Sequence, residues 1–80
     1  MTEADKLFEE LGYKKKNKGI YVEYIKVEKE IEEEYVISFM LKTVMATLYK
    51  NGYIKKPLAL NIQELKAIKL KCKELGWLEE

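Results

Sequence analysis

The chain has 80 residues, of which 48% are hydrophobic and 36% are charged, and its formal net charge is +1. This composition is typical of a globular protein rather than a disordered one, and the length predicts one domain over residues 1–80. The balanced charge excludes a strong overall attraction to nucleic acid or to a membrane surface. Histidine, the most common acid–base catalyst and metal ligand, does not occur. We therefore expect a non-enzymatic protein with no cofactor and no small-molecule substrate.

The single cysteine, Cys72, cannot form an internal disulfide, which is typical of a reducing compartment. The first residues are polar and acidic, unlike a signal or transit peptide. The longest apolar stretch, residues 35–41, is far shorter than a membrane span. These features predict a cytoplasmic protein without a membrane partner.

The first predicted element is a helix over residues 2–11. Thr2 is placed to cap it, and Asp5 at the third helical position resembles a capping box. Its apolar residues recur at helical spacing and form one stripe. Gly12 supplies the left-handed residue that ends such a helix, and Tyr13 is placed to fold back onto Phe8.

A basic loop over residues 14–19 and a strand over residues 20–28 follow. The acidic run at 29–34 predicts a solvated connection, with a short helix within it as the alternative. Residues 35–50 allow two interpretations: a hairpin that turns near Lys42–Thr43, or one buried helix. The hairpin is favoured because the segment is rich in stiff β-branched residues, although its turn lacks Gly, Asn and Asp.

Asn51–Gly52 is the strongest turn signal, and residues 53–56 predict a short edge strand before Pro57. The last helix covers residues 62–75, with Asn61 and Glu64 forming a capping box. Its predicted core stripe consists of Ile62, Leu65, Ile68, Cys72 and Leu75. The predicted fold is α+β: a small antiparallel sheet of three or four strands with the N- and C-terminal helices on one face, in the order α-β-β-β-α.

The segments ADKLFEELGY, at residues 4–13, and LNIQELKAIKLKCKELGW, at residues 60–77, resemble the ends of a group of short proteins encoded by phages and prophages of Gram-positive bacteria. The resemblance implies a β-meander between two helices and a phage accessory protein in the host cytoplasm. It implies no particular activity. The middle of the chain departs from the group because it is more apolar.

Candidate chemistry is sparse. Cys72 lies on the predicted core stripe without a histidine to activate it, so we interpret it as buried and inert.

Two groups of lysines are candidates for polyanion binding, one in the basic loop and one on a flank of the last helix: Lys14, Lys15, Lys16, Lys18, Lys66, Lys69 and Lys73. Four tyrosines are candidates for stacking on bases: Tyr21, Tyr24, Tyr49 and Tyr53. The absence of arginine and the near-neutral charge make weak, sequence-tolerant nucleic-acid binding the alternative function rather than the favoured one. The alternative requires both lysine groups to share one surface with the tyrosines.

The favoured function is a protein–protein interaction, with a second copy or another protein as partner. In the predicted hairpin, Tyr35, Ile37, Phe39 and Leu41 face the helices, which leaves Val36, Ser38 and Met40 on the opposite face. The return strand adds either Val44, Ala46 and Leu48 or Met45, Thr47 and Tyr49 to that face, according to register. Both choices leave it apolar, which is typical of an interface. The candidate partner-binding residues are Val36, Met40, Met45, Tyr49 and, on the last helix, Leu70.

Overall fold

The computed structural model describes residues 2–78 and has an α+β fold, in which one helix precedes and one helix follows the strands of an antiparallel sheet along the chain. The strand order in the sheet follows the chain from β1 to β5. The elements are α1 (Glu3–Glu10), β1 (Lys14–Asn17), β2 (Val22–Glu28), β3 (Glu33–Met40), β4 (Thr43–Lys50), β5 (Ile54–Pro57) and α2 (Ile62–Glu74). A short 3-10 helix, Lys29–Ile31, occupies the acidic connection between β2 and β3.

The fold class is confirmed, but the sheet has five strands rather than three or four. The additional strand is β1, which the sequence predicts as a loop because three successive lysines carry no strand pattern. Backbone pairing with β2, from Lys14 opposite Ile25 to Asn17 opposite Val22, makes it a strand. Both edge strands, β1 and β5, are short and rich in lysine, which discourages pairing with another chain at the sheet edges.

Residues 35–50 form the favoured hairpin, but its turn lies one residue earlier than predicted. Met40 pairs with Thr43, so Leu41 and Lys42 are the two turn residues. Their φ angles are 48° and 62°, and a type I′ turn requires such positive values at both positions. The prediction that Leu41 faces the helices is therefore wrong: it lies at the turn and is 81% exposed.

Aromatic side chains form the core between the helices and the sheet. The Phe8 ring of α1 stacks on the Tyr24 ring of β2, with centroids 3.9 Å apart and planes 15° apart. The Phe39 ring meets both rings edge-on, and Trp77 packs against Phe39 with the centroids 6.3 Å apart. Both helices therefore cover the same face of the sheet, which we call the helix face.

Both helices end in the same hydrogen-bonded motif. After α1, the Tyr13 N–H donates to the Phe8 carbonyl and the Gly12 N–H to the Glu9 carbonyl. After α2, Trp77 and Gly76 donate to Cys72 and Lys73 in the same pattern. These bonds define a Schellman motif, whose C′ residue takes a left-handed conformation. The φ angles of Gly12 and Gly76 are 95° and 75°, as the sequence predicts.

The core stripe of α2 is rotated relative to the prediction. Ile62 is 74% exposed and Leu65 is also exposed, whereas the buried residues of the helix are Glu64, Ala67, Lys71 and Cys72. The reason is that Glu64 and Lys71 find buried polar partners on α1 and beyond it, described below. A pattern of apolar residues alone cannot anticipate such a rotation.

The two glycines that end the helices give the first prediction. Gly12→Ala and Gly76→Ala should each lower the free energy of unfolding by about 1 kcal/mol, because alanine is strained at positive φ. The loss should be larger at Gly12, where a Cβ would lie 3.1 Å from Cδ of Lys26, than at Gly76, where no atom lies within 4 Å. Chemical denaturation of both variants measures this, and unchanged midpoints would contradict the assignment of the helix ends.

The β3–β4 turn gives the second prediction. Leu41→Asn combined with Lys42→Gly should raise the free energy of unfolding by about 1 kcal/mol, because Asn and Gly tolerate the left-handed conformation far better than Leu and Lys. Thermal or urea denaturation of the double variant measures the change. A decrease in stability would show that this turn does not have positive φ at both positions in solution.

Candidate interaction surfaces

The face of the sheet opposite the helices, which we call the open face, receives alternate residues of every strand. Directly paired residues point to the same side of a sheet. Ile37 is buried in the core and pairs with Ala46, so Val44, Ala46 and Leu48 lie on the helix face. The neighbouring pairs Val36–Thr47 and Ser38–Met45 lie on the open face. This register selects Met45, Thr47 and Tyr49 from the two sets that the sequence allows.

The apolar centre of the open face consists of Val36, Met40 and Met45, with the small hydroxyl side chains of Ser38 and Thr47 beside them. Met45 and Met40 are 53% and 39% exposed, and they flank Val36 and Thr47, which are buried although no helix covers them. These side chains line a shallow depression of about 290 Å³ together with Tyr21, Tyr49 and Lys55. Four of the five candidate partner-binding residues, Val36, Met40, Met45 and Tyr49, therefore come together here.

Charged residues of both signs border this apolar centre. Lys16 pairs with Glu23 across β1 and β2, and Glu23 lies opposite Ser38 of β3. On the other side, Tyr49 lies between Glu34 and Lys55. The open face therefore combines an apolar centre with a border of mixed charge, as many protein interfaces do.

Leu70 does not join the open face. It is half-buried on α2, and the buried residues of that helix, Ala67 and Cys72, pack in the core against Tyr24 and Ile37. The sheet thus lies between Leu70 and the other four candidates.

The two lysine groups do not share one surface. Lys15 pairs with Tyr24, so it points to the helix face, where it forms a 3.1 Å ion pair with Asp5. Lys14 and Lys16 consequently point to the open face. On α2 the buried residues lie on one side, which places Lys66, Lys69 and Lys73 on the outward side of the helix. Lys18 lies in the connection between β1 and β2.

The tyrosines predicted as stacking candidates are also divided. Tyr24 is buried beneath α1 and cannot stack on a base, so that prediction is wrong. Tyr21 and Tyr49 lie on the open face, and Tyr53 lies in the turn between β4 and β5. The arrangement does not meet the condition set above for the nucleic-acid alternative.

A polar network on the helix face joins α1, α2 and the sheet through Asp5. Its carboxylate accepts a 2.5 Å hydrogen bond from the Tyr24 hydroxyl and lies 3.6 Å from Nζ of the buried Lys71. Lys71 is also paired with Glu74. Burial alone would raise the pKa of Asp5, but the hydrogen bonds from Tyr24 and Lys15 and the charge of Lys71 outweigh it and lower the pKa to about 2.

A second polar contact ties the end of α1 to the start of α2. Glu64 completes the predicted capping box with Asn61 and also accepts a 2.5 Å hydrogen bond from the Tyr13 hydroxyl. Burial and the bond to Glu64 raise the pKa of Tyr13, and burial and the bond to Asp5 raise that of Tyr24. Every polar atom in these two contacts is occupied by another group of the fold, which is typical of a structural role.

Cys72 is buried, as the sequence predicts, and burial raises the pKa of its thiol. Within residues 2–78, no three side chains of the metal-binding types are grouped closely enough to hold a metal ion. No helix in that range has the length and apolarity needed to cross a membrane.

Lys55 lines the depression but is not among the residues that the sequence selects, because only the register of β5 places it there. Thr47, from one of the two sets that the sequence allows, and Tyr21, one of the stacking candidates, also line it. Thr2 caps α1 by accepting a hydrogen bond from the Asp5 N–H, but the predicted capping box is not completed. The Asp5 carboxylate instead contacts Tyr24 and Lys71, which are too distant in sequence for a local pattern to reveal.

No protein family, curated protein or solved structure that we compared with this chain matches it.

The lowered pKa of Asp5 gives the third prediction. Because the pKa falls from its ordinary value of 3.8 to about 2 on folding, the carboxylate stabilises the fold above about pH 4, and this contribution is lost as the pH falls towards 2. Asp5→Asn should remove on the order of 2 kcal/mol at neutral pH and flatten the stability profile in that window.

Urea denaturation from pH 6 to pH 2 measures this effect, and Tyr24→Phe is the matched control. The phenylalanine keeps the stack on Phe8 but removes the hydrogen bond, which raises the pKa of Asp5 in the folded state. The variant should therefore lose less stability as the pH falls, and its profile should level off at a higher pH than that of the original chain. Parallel profiles for Asp5→Asn and the original chain would contradict the assignment.

Proposed function

We propose that the protein is a non-enzymatic binding module that acts through protein–protein contact at the open face of its sheet, with a second copy of the chain as the partner. The observation that carries the proposal is the apolar centre of that face, in which Met40 and Met45 project beside Val36. A sheet face that contacts water normally alternates with polar residues at such positions. Methionine also adapts its shape to a partner.

The charges of the open face favour a second copy over a strongly charged partner. Lys14, Lys16 and Lys55 are accompanied there by Glu23 and Glu34, so the border carries both signs. A surface of this kind can be complementary to itself in a two-fold dimer. The net charge of +1 means that two copies repel each other only weakly.

The small size of the domain supports association as well. A chain of 80 residues buries a smaller fraction of its surface than a larger domain does, and dimerisation adds buried apolar area.

The resemblance of the two chain ends to phage-encoded proteins suggests the biological setting, an accessory protein of a phage or prophage. This part of the proposal rests on that resemblance alone.

Sedimentation equilibrium gives the fourth prediction. The chain should be mostly dimeric at concentrations on the order of tens of micromolar, which corresponds to a dimer Kd of about 1 μM or less. Met45→Lys should shift the equilibrium to monomer by placing a charge in the apolar contact. The fold should tolerate this change within about 0.5 kcal/mol, because the side chain is already more exposed than buried in the monomer.

Leu65→Lys is the matched control, because Leu65 is exposed to a similar degree but lies on α2, away from the open face. It should leave the dimer intact. A monomeric original chain would exclude the homodimer, and equal effects of the two substitutions would exclude the open face as its site.

A further inference from the structure

The two most exposed large apolar side chains of residues 2–78 lie at the tips of two connections. Ile20, between β1 and β2, is 82% exposed, and Leu41, between β3 and β4, is 81% exposed. Neither belongs to the open face or to the core. A single exposed apolar residue is ordinary, but two at the same end of a sheet form a surface.

The strand register places both tips at one end of the molecule. Val22, the first residue of β2, pairs with Phe39, the penultimate residue of β3, so residues 18–21 and the turn 41–42 leave the sheet on the same side. The two connections are about two strand spacings apart, or roughly 10 Å. We call this surface the loop end.

Leu41 points outward from a backbone conformation that is energetically unfavourable for leucine. Its φ of 48° is uncommon for a residue other than Gly, Asn or Asp, and Lys42 beside it has a φ of 62°. The chain uses Asn51–Gly52, which suits such angles, in its other tight turn. The loop end therefore presents a leucine in a position where a smaller polar residue would be more stable.

A groove of mixed polarity, about 230 Å³ in volume, extends the loop end toward the second helix. Its apolar lining residues are Ile20, Val22, Phe39, Leu75 and Trp77, and its polar ones include Lys15, Asn17 and Lys71. The tryptophan is only partly buried. Tryptophan is enriched at the boundary between lipid and water, where its ring is apolar and its N–H can remain hydrated.

Charge is separated along the strands although the net charge is close to zero. Lys18 and Lys42 are exposed within the two connections of the loop end. At the opposite end, four glutamates and one lysine border a depression beside the turn that contains Asn51: Glu28, Lys29, Glu32, Glu33 and Glu34. A negatively charged surface would therefore be approached by the loop end first.

We infer that the loop end binds the surface of an anionic lipid bilayer, with Ile20 and Leu41 entering the boundary of the acyl chains and Lys18 and Lys42 at the headgroups. Two projecting tips fit a fluid surface, which needs no fixed complementary shape, better than they fit a preformed protein pocket. This inference departs from the sequence-based expectation of no membrane partner, which rests on the net charge and on the absence of a long apolar stretch. It concerns attachment to the surface and is independent of the open face.

Sedimentation of the whole chain with lipid vesicles tests the inference and is the fifth prediction. The chain should sediment with vesicles of phosphatidylcholine and phosphatidylglycerol, and not with phosphatidylcholine alone. Binding should weaken as salt is added. Ile20→Asn with Leu41→Asn should reduce the partition coefficient more than tenfold, and Lys42→Gln should reduce it roughly fivefold.

The substitutions have matched controls. Asn is suited to the positive φ at position 41, so the loss of binding cannot be ascribed to a strained turn. Tyr53→Asn changes a side chain that is 80% exposed at the opposite end of the sheet, and it should bind as the original chain does.

Three results would overturn the inference. The first is that the original chain fails to sediment with the anionic vesicles. The second is that the Ile20 and Leu41 double variant binds as well as the original chain. The third is that this variant changes the molecular mass in the absence of lipid, because the loop end would then be a contact between protein chains.

Discussion

The stack of Phe8 on Tyr24 is the contact on which the arrangement of the fold depends. The ring centroids lie 3.9 Å apart, and both side chains are buried. Such a pair contributes about 0.5–1.5 kcal/mol beyond the burial of its area. The stack holds α1 against β2, and that position brings the Tyr24 hydroxyl to Asp5 of the same helix. One contact between the first helix and the sheet therefore also places the polar network.

The polar groups around this stack explain why both helices share one face. Asp5 is near Lys71 of α2, and Glu64 of α2 accepts a hydrogen bond from Tyr13, immediately after α1. Burying Lys71 without its carboxylate partners would be costly, so α2 must remain beside α1. The two helices therefore form one layer on the helix face, and the opposite face of the sheet stays uncovered by either of them.

The sequence predicts what depends on neighbouring residues and misses what depends on distant ones. The capping box of Asn61 and Glu64, the glycine helix ends and the hairpin with its alternating faces are local patterns, and they are confirmed. β1 is a strand only because β2 lies beside it, and α2 is rotated because Lys71 and Glu64 meet Asp5 and Tyr13. The same limit applies to the surfaces: alternation selects Val36 and Met40, whereas Ile20 and Leu41 come together only through the register of β2 and β3.

The chemistry of the sheet edges narrows the ways in which this protein can associate. An edge strand offers unpaired backbone groups to another chain, but β1 consists of three lysines and an asparagine, and β5 contains two lysines and a proline. Lysine side chains repel a second copy of the same edge, and Pro57 cannot donate a ladder hydrogen bond. Extension of the sheet is thus discouraged at both edges. The open face and the loop end point in different directions, so the two partners that we propose for them could be bound at the same time.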